Sequence, residues 1–196
     1  MGRVEAFSDG VIAIIITIMV LDLKVPHETT LAALLAIWPT MLSYLLSFLV
    51  VAIMWINHHH LMRTAKHPDA ALLWSNCFLL FWMSLIPFVT RYLGDNRAAP
   101  LPVAAYAGTL ALTCVAFYWF QSVLARHNSS NEHMTRHYER LQRKAAFSVL
   151  MYVVAAVTAF ASTKTSLAIL IVLPATYFLP EKKLIESERP AGHLNT

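Results

Sequence analysis

The chain has 196 residues, 58% of them hydrophobic and 13% charged, with a formal net charge of +4. Soluble domains average about 45–50% apolar and about 25% charged residues, so the composition argues against a water-soluble globule. The basic residues flank long apolar runs instead of lining one helix face, which speaks for membrane topology over nucleic-acid binding.

The first element is read as a helix over about 4–23, stopped by Pro26, which cannot continue it. Twelve uncharged residues separate Asp9 from Asp22. At about 1.5 Å per residue they cover only about 18 Å, against a hydrocarbon core about 30 Å thick. A helix crossing here carries Asp9, Asp22 or both to the headgroup level or below, where an ionised carboxylate facing lipid is costly and needs partners or water. At about 100° per residue, Ile14, Ile18 and Leu21 form one stripe with Thr17 on its flank, and Asp9 lies about 140° from Ile14. The run lacks a basic n-region and a small-residue cleavage site, so it is expected to stay as the first span.

A second span is expected over 31–57, with Pro39 in its early turns, ending in Trp55 and the run His58, His59, His60. The third covers 70–91 and holds Trp74, Asn76 and the Pro87-Phe88 pair, with a kink expected near Pro87. After a polar connection comes a fourth span at 103–125. Residues 126–144 form the one long hydrophilic segment, a helical extension or a solvated loop. A fifth span at 145–163 and a short sixth at 165–180 make a tight hairpin around Lys164, which snorkels to the interface. The tail, 181–196, is polar and expected to be mobile.

The fold class is therefore an all-α integral membrane protein with six transmembrane helices in one domain, 1–180. An even count puts both termini on one side. Placing them inside puts Arg3, Arg63, Lys66, Arg126, Arg136, Arg140, Arg143, Lys144, Lys182, Lys183 and Arg189 in the cytoplasm, against Lys24, Arg91, Arg97 and Lys164 outside. Eleven of the 15 basic residues on one side is a positive-inside signal for cytoplasmic termini.

Cys77 and Cys114 lie in apolar runs and read as small buried hydrophobes, not as a disulfide. Three consecutive histidines splay over about 200° of helix and cannot face one ion. No second ligand cluster completes a site, so neither metal nor cofactor is expected. No nucleophile, base and orienter set is apparent, and five glycines in the whole chain form no phosphate loop, so no enzymatic activity is expected. There is also no carbonyl-filter motif of the TVGYG kind.

Arg3, Phe7, Ser8 and Asp9 read RxxxFSD at the opening of the first apolar helix. With Trp55 and His58 as a Trp-x-x-His pattern, Asn76, and Pro87-Phe88, the chain resembles the transmembrane protein 175 family, in particular its single-repeat bacterial potassium channels. The motif occurs once, and one helix cannot enclose a pore, so several copies around a symmetry axis are required. The resemblance implies a homotetramer in a prokaryotic inner membrane, with the first helices lining a pore for potassium and similar monovalent cations. It implies a main constriction at Ile14, continued by Ile18 and Leu21, with Thr17 as a pore-facing hydroxyl. It also implies a structural network of Arg3, Phe7, Ser8 and Asp9 with Trp55, His58 and Asn76, which orients the pore helix without touching the ion.

Potassium is then the permeant species and the lipid bilayer the surroundings; no nucleic acid is involved. The competing reading is a secondary transporter or proton-leak pathway using Asp9 and His58. Transporters more typically carry inverted repeats and helices broken near the midplane, and neither is visible here.

Overall fold

The computed structural model describes residues 2–65, 67–96, 99–128 and 132–178. Among these residues it is helical throughout: α1 (Gly2–Leu21), α2 (Leu31–Ala36), α3 (Trp38–Met62), α4 (Ala70–Ser84), α5 (Ile86–Asp95), α6 (Pro100–His127), α7 (Glu132–Thr158) and α8 (Thr163–Ala175), closed by a 3-10 turn at Thr176–Phe178. The tail 181–196, the end of the sixth expected span, and Lys66 and Arg97 of the charge count lie outside the described residues.

Proline sets two of the breaks. The run 31–57 divides at Ile37 because Pro39 takes the second position of α3, where its missing N–H is not needed. Pro87 does the same for α5 and divides the third run at Leu85. In α4 the first turn is capped instead by Asp69, whose Oδ1 accepts the Leu72 N–H at 2.8 Å. That bond, with His127 Nε2 3.1 Å from the other oxygen, holds the Asp69 carboxyl below the usual carboxylate range.

Among the described residues, the hydrophilic segment supplies the end of α6 and, from Glu132, the opening turns of α7. Helix α7 ends at Thr158, so the apolar stretch expected to reach 163 stops one turn earlier. Among the described residues, five stretches are long and apolar enough to cross a bilayer: Gly2–Leu21, Trp38–Met62, Ala70–Asp95, Pro100–His127 and Thr135–Thr158. The 13 residues of α8 cover about 20 Å, less than the hydrocarbon core.

Helix α1 packs against α3, α4 and α5, while α6, α7 and α8 form a second group joined to the first chiefly through α6. Inside the bundle, Ser47 on α3 lies 2.7 Å from the Thr90 hydroxyl of α5 and 3.0 Å from the Tyr106 hydroxyl of α6. All three are buried. Thr90 also donates to the Ile86 carbonyl at 2.7 Å, so the cluster satisfies itself in a medium without water.

Gly94 permits the α3–α5 approach. A Cβ there would meet the Cα of Thr40 at 3.1 Å, a backbone atom that cannot swing aside. Gly94→Leu is expected to cost about 1–3 kcal/mol by overpacking, read as a lowered thermal midpoint in detergent. An unchanged midpoint would show that the helices are not held this closely.

One expectation is corrected by the packing. Cys114 is buried, but Cys77 is exposed on the outer face of α4. The two share apolar sequence surroundings, yet Cys114 falls on a covered face of α6, which packs against α4, α5, α7 and α8, and Cys77 on an uncovered face of α4.

Candidate functional site

Helix α1 divides into two faces. Ser8, Ile12, Ile15 and Met19 recur at three- and four-residue spacing and are buried. Turned away from them are Ile14 at 58% exposure, Ile18 at 44% and Leu21 at 81%, with Thr17 also exposed. Ile12 and Ile15 differ from Ile14 by one or two positions, yet they are 2% and 3% exposed. The protomer thus uses one side of α1 for its own core and leaves the Ile14 side without intrachain cover.

Polar contacts fix that rotation at both ends. Near the N-terminal end, Asn76 Nδ2 on α4 donates to Ser8 Oγ at 2.9 Å, and Ser8 donates onward to the Val4 carbonyl at 2.9 Å. Asn76 Oδ1 lies 2.8 Å from His58 Nε2 on α3, which places the ring proton on that nitrogen. Ser8, His58 and Asn76 are all buried, so one amide ties three helices together in an apolar setting. The His58 ring stacks on Phe120 of α6 at 5.2 Å between centroids. One α-helical residue further on, Asp9 Oδ1 accepts the Trp55 Nε1–H at 2.9 Å. Glu5 Oε1 approaches His59 Nδ1 to 3.1 Å.

The seven motif residues named from the sequence are therefore placed as follows. Ser8, Asn76 and His58 meet directly, and Asp9 meets Trp55. Phe7 is exposed and lies seven residues before Ile14, on the same side of the helix. Arg3 is likewise exposed and stands outside this set of contacts. Asn76 serves both Ser8 and His58.

The opposite end of α1 is held by ions. Arg91 Nη1 lies 3.0 Å from Asp22 Oδ1, and its Nε lies 3.6 Å from Asp95, which in turn pairs with Lys24 at 3.1 Å. These pairs answer the question that Asp22 raised in the sequence. The Asp22–Arg91 and Lys24–Asp95 pairs escaped sequence reasoning because their partners are 69 and 71 residues apart and carry no spacing signal. The side chains are substantially exposed, and such pairs contribute about 0–1 kcal/mol. Arg91→Gln is therefore expected to move the thermal midpoint by no more than a few degrees; a collapse of the fold would show that this end is a principal anchor.

Thr17 is exposed beside the stripe, and its hydroxyl donates to the Ile14 carbonyl at 2.8 Å. With its proton so engaged, the oxygen turns lone pairs outward, which suits a cation better than an anion. Among the described residues no group of three His, Cys, Asp or Glu side chains converges to hold a metal ion.

Comparison with known proteins adds to this geometry. A family model described as the endosomal/lysosomal potassium channel TMEM175 matches residues 3–87. A potassium channel of Chryseobacterium sp. strain P1-3 is 38% identical over 186 residues, covering 95% of this chain and 96% of its own. A potassium channel of Chamaesiphon minutus is 32% identical over 188 residues, covering 90% and 92%. Among solved structures, the crystal structure of a lysosomal potassium-selective channel TMEM175 homolog from Chamaesiphon minutus superposes with a TM-score of 0.79 at 31% identity, over 90% of this chain and 95% of the other.

Proposed function

The chain belongs to the TMEM175 family of potassium channels, and on that premise we propose that it conducts potassium and similar monovalent cations passively through a pore surrounded by four copies of α1. The observation that carries the reading is the unpaired face of α1. A helix pinned sideways at both ends presents Ile14, Thr17, Ile18 and Leu21 to whatever lies outside the protomer. Around a four-fold axis, that outside is the channel.

Rings of isoleucine and leucine make a narrow apolar neck, which closes to ions by losing its water. Ile14 forms the main constriction, with Ile18 and Leu21 continuing it outward. The Thr17 ring offers hydroxyl oxygens to a cation that has shed part of its hydration shell. Discrimination then follows dehydration cost, giving moderate preference for potassium over sodium, with rubidium and caesium also permeant. The protein needs no cofactor and performs no catalysis.

Six spans place both termini on the cytoplasmic side of the inner membrane, the basic loops setting that orientation. In this arrangement α8, with the turn at Thr176–Phe178, is the sixth span. Ser8, Asp9, Trp55, His58 and Asn76 are positioning residues that orient α1 from within its own subunit. The proton-leak or transporter reading has less support, because Asp9 and His58 are engaged in side-on contacts with neighbouring helices and not on the Ile14 face.

The test is flux from liposomes containing the purified protein. Potassium, rubidium and caesium efflux in discrete unitary steps is the expected result. Slow, saturating uptake coupled to a proton gradient would replace this reading with a transporter.

A further inference from the structure

Between α3, α6, α7 and α8 lies a cavity of about 530 Å³. That is well inside the range of about 300–1,000 Å³ that small-molecule sites occupy. None of its walls belongs to α1. One part of the lining is apolar, with Val50, Phe117 and Leu173; the polar groups are Gln121, Lys144 and Ser148 among others, and among the described residues no acidic side chain contributes.

Two features point to a bound molecule. Gln121 is only 3% exposed, and its Oε1 has no hydrogen-bond partner among the described residues. A buried amide oxygen without a donor is costly, so the site calls for a hydroxyl or N–H from something other than the described residues. Lys144 supplies the positive charge. It closes the basic stretch of α7 that includes Arg136, Arg140 and Arg143, and the apolar part of the helix starts at the next residue. That boundary is where an ammonium reaches the headgroup level of a bilayer.

Depth runs in the same sense on each wall. Asn57 near the end of α3, Gln121 near the end of α6 and Lys144 early in α7 lie toward the end of the bundle that holds the N-terminus, while Val50, Cys114 and Leu173 lie further in. Ile56 and Phe147 are exposed lining residues and leave the cavity open to the surrounding membrane. An apolar interior beneath one cation and one unpaired acceptor has the polarity of a lipid.

We propose that this cavity binds an anionic phospholipid with a hydroxyl-bearing headgroup, such as phosphatidylglycerol. Lys144 pairs with the phosphate. Gln121 Oε1 accepts from a headgroup hydroxyl, and an acyl chain fills the space along Val50, Phe117 and Leu173. Basic pockets between transmembrane helices are known to take headgroups of this charge.

The proposal is tested by native mass spectrometry of the full-length protein in mild detergent, titrated with phosphatidylglycerol or phosphatidylcholine. Wild-type protein is expected to retain phosphatidylglycerol about fivefold better, the factor that about 1 kcal/mol for one surface lysine provides. Lys144→Gln should lower that ratio severalfold, leaving only the share that the Gln121 contact contributes. Gln121→Leu should weaken phosphatidylglycerol retention with little effect on phosphatidylcholine. Cys114→Phe, which fills the interior, should reduce both. Each variant is checked for oligomeric state and potassium flux, so a pore defect is told apart from a lipid defect; if Cys114→Phe does not fold, the other two decide. Equal retention by wild type, Lys144→Gln and Gln121→Leu would mean annular lipid only and overturn the proposal. So would free glycerol phosphate competing as well as the whole lipid, because the acyl chain would then contribute nothing.

Discussion

Asn76→Leu is expected to lower the thermal midpoint by at least about 4 °C and to change potassium flux at the same time. The leucine removes the amide that serves both Ser8 Oγ and His58 Nε2, at 2.9 and 2.8 Å. Two bounds frame the cost. Interhelical hydrogen bonds in membrane proteins average about 0.6 kcal/mol each, whereas each buried group left without a partner costs about 1–3 kcal/mol. The substitution leaves the His58 Nε2–H without a partner, while Ser8 keeps its bond to the Val4 carbonyl and loses only one interhelical bond, so the two figures add to about 2–4 kcal/mol. For a chain of this size, 1 kcal/mol moves the midpoint by about 2–4 °C.

Flux is affected because the amide is also a lateral tether of α1. Without it the helix is free to rotate, and the faces carrying Ile12 and Ile14 lose their fixed difference in environment. A Ser8→Ala and Asn76→Leu cycle separates this from general damage: the two changes should be non-additive by at least about 0.5 kcal/mol. Additive effects with wild-type flux would show that the triad holds nothing relevant to the pore.

The second large effect is expected at Ile14. Ile14→Asn puts polar groups where a ring of isoleucines would exclude water, so the neck stays wet and ions meet a lower barrier. Potassium flux should rise about tenfold, the factor that about 1.4 kcal/mol off a barrier gives. Ile12→Asn makes the informative contrast. That side chain is 2% exposed and packs in the protomer's own core, so the same change there should destabilise the fold without opening the pore.

Much of this was legible in the sequence, for reasons that can be named. Spans were readable because hydropathy responds to the bilayer alone, whatever the neighbours. The stripe of Ile14, Ile18 and Leu21 was readable because helical periodicity sorts residues by face. Asp9 announced a need for partners through the shortness of the apolar run beside it. Pro87 gave the break at Leu85 to within a turn, whereas Pro39 was read inside a continuous second span and the break at Ile37 was not expected.

Other features depend on distant parts of the chain. The Ser47, Thr90 and Tyr106 cluster joins three helices through residues that each look unremarkable within an apolar run. Cys77 and Cys114 differ only in what packs around them. Residues 126–144 carried charges at a spacing that suits helix or loop equally, and the continuous α7 was settled by packing against α6. Arg91 looked like a topological charge, yet it holds Asp22 at 3.0 Å.

The claim on which the account rests is that the Ile14 face of α1 lines a water-filled ion path. The direct measurement is block of potassium flux by a charged, membrane-impermeant thiol reagent acting on Ile14→Cys. It is made in a Cys77→Ser background, since Cys77 is itself exposed on the protomer. The account predicts rapid, nearly complete loss of flux on modification, reversed by reductant, with Ile12→Cys unaffected. A modified Ile14→Cys protein that conducts like its untreated control would place that face in lipid and contradict the account.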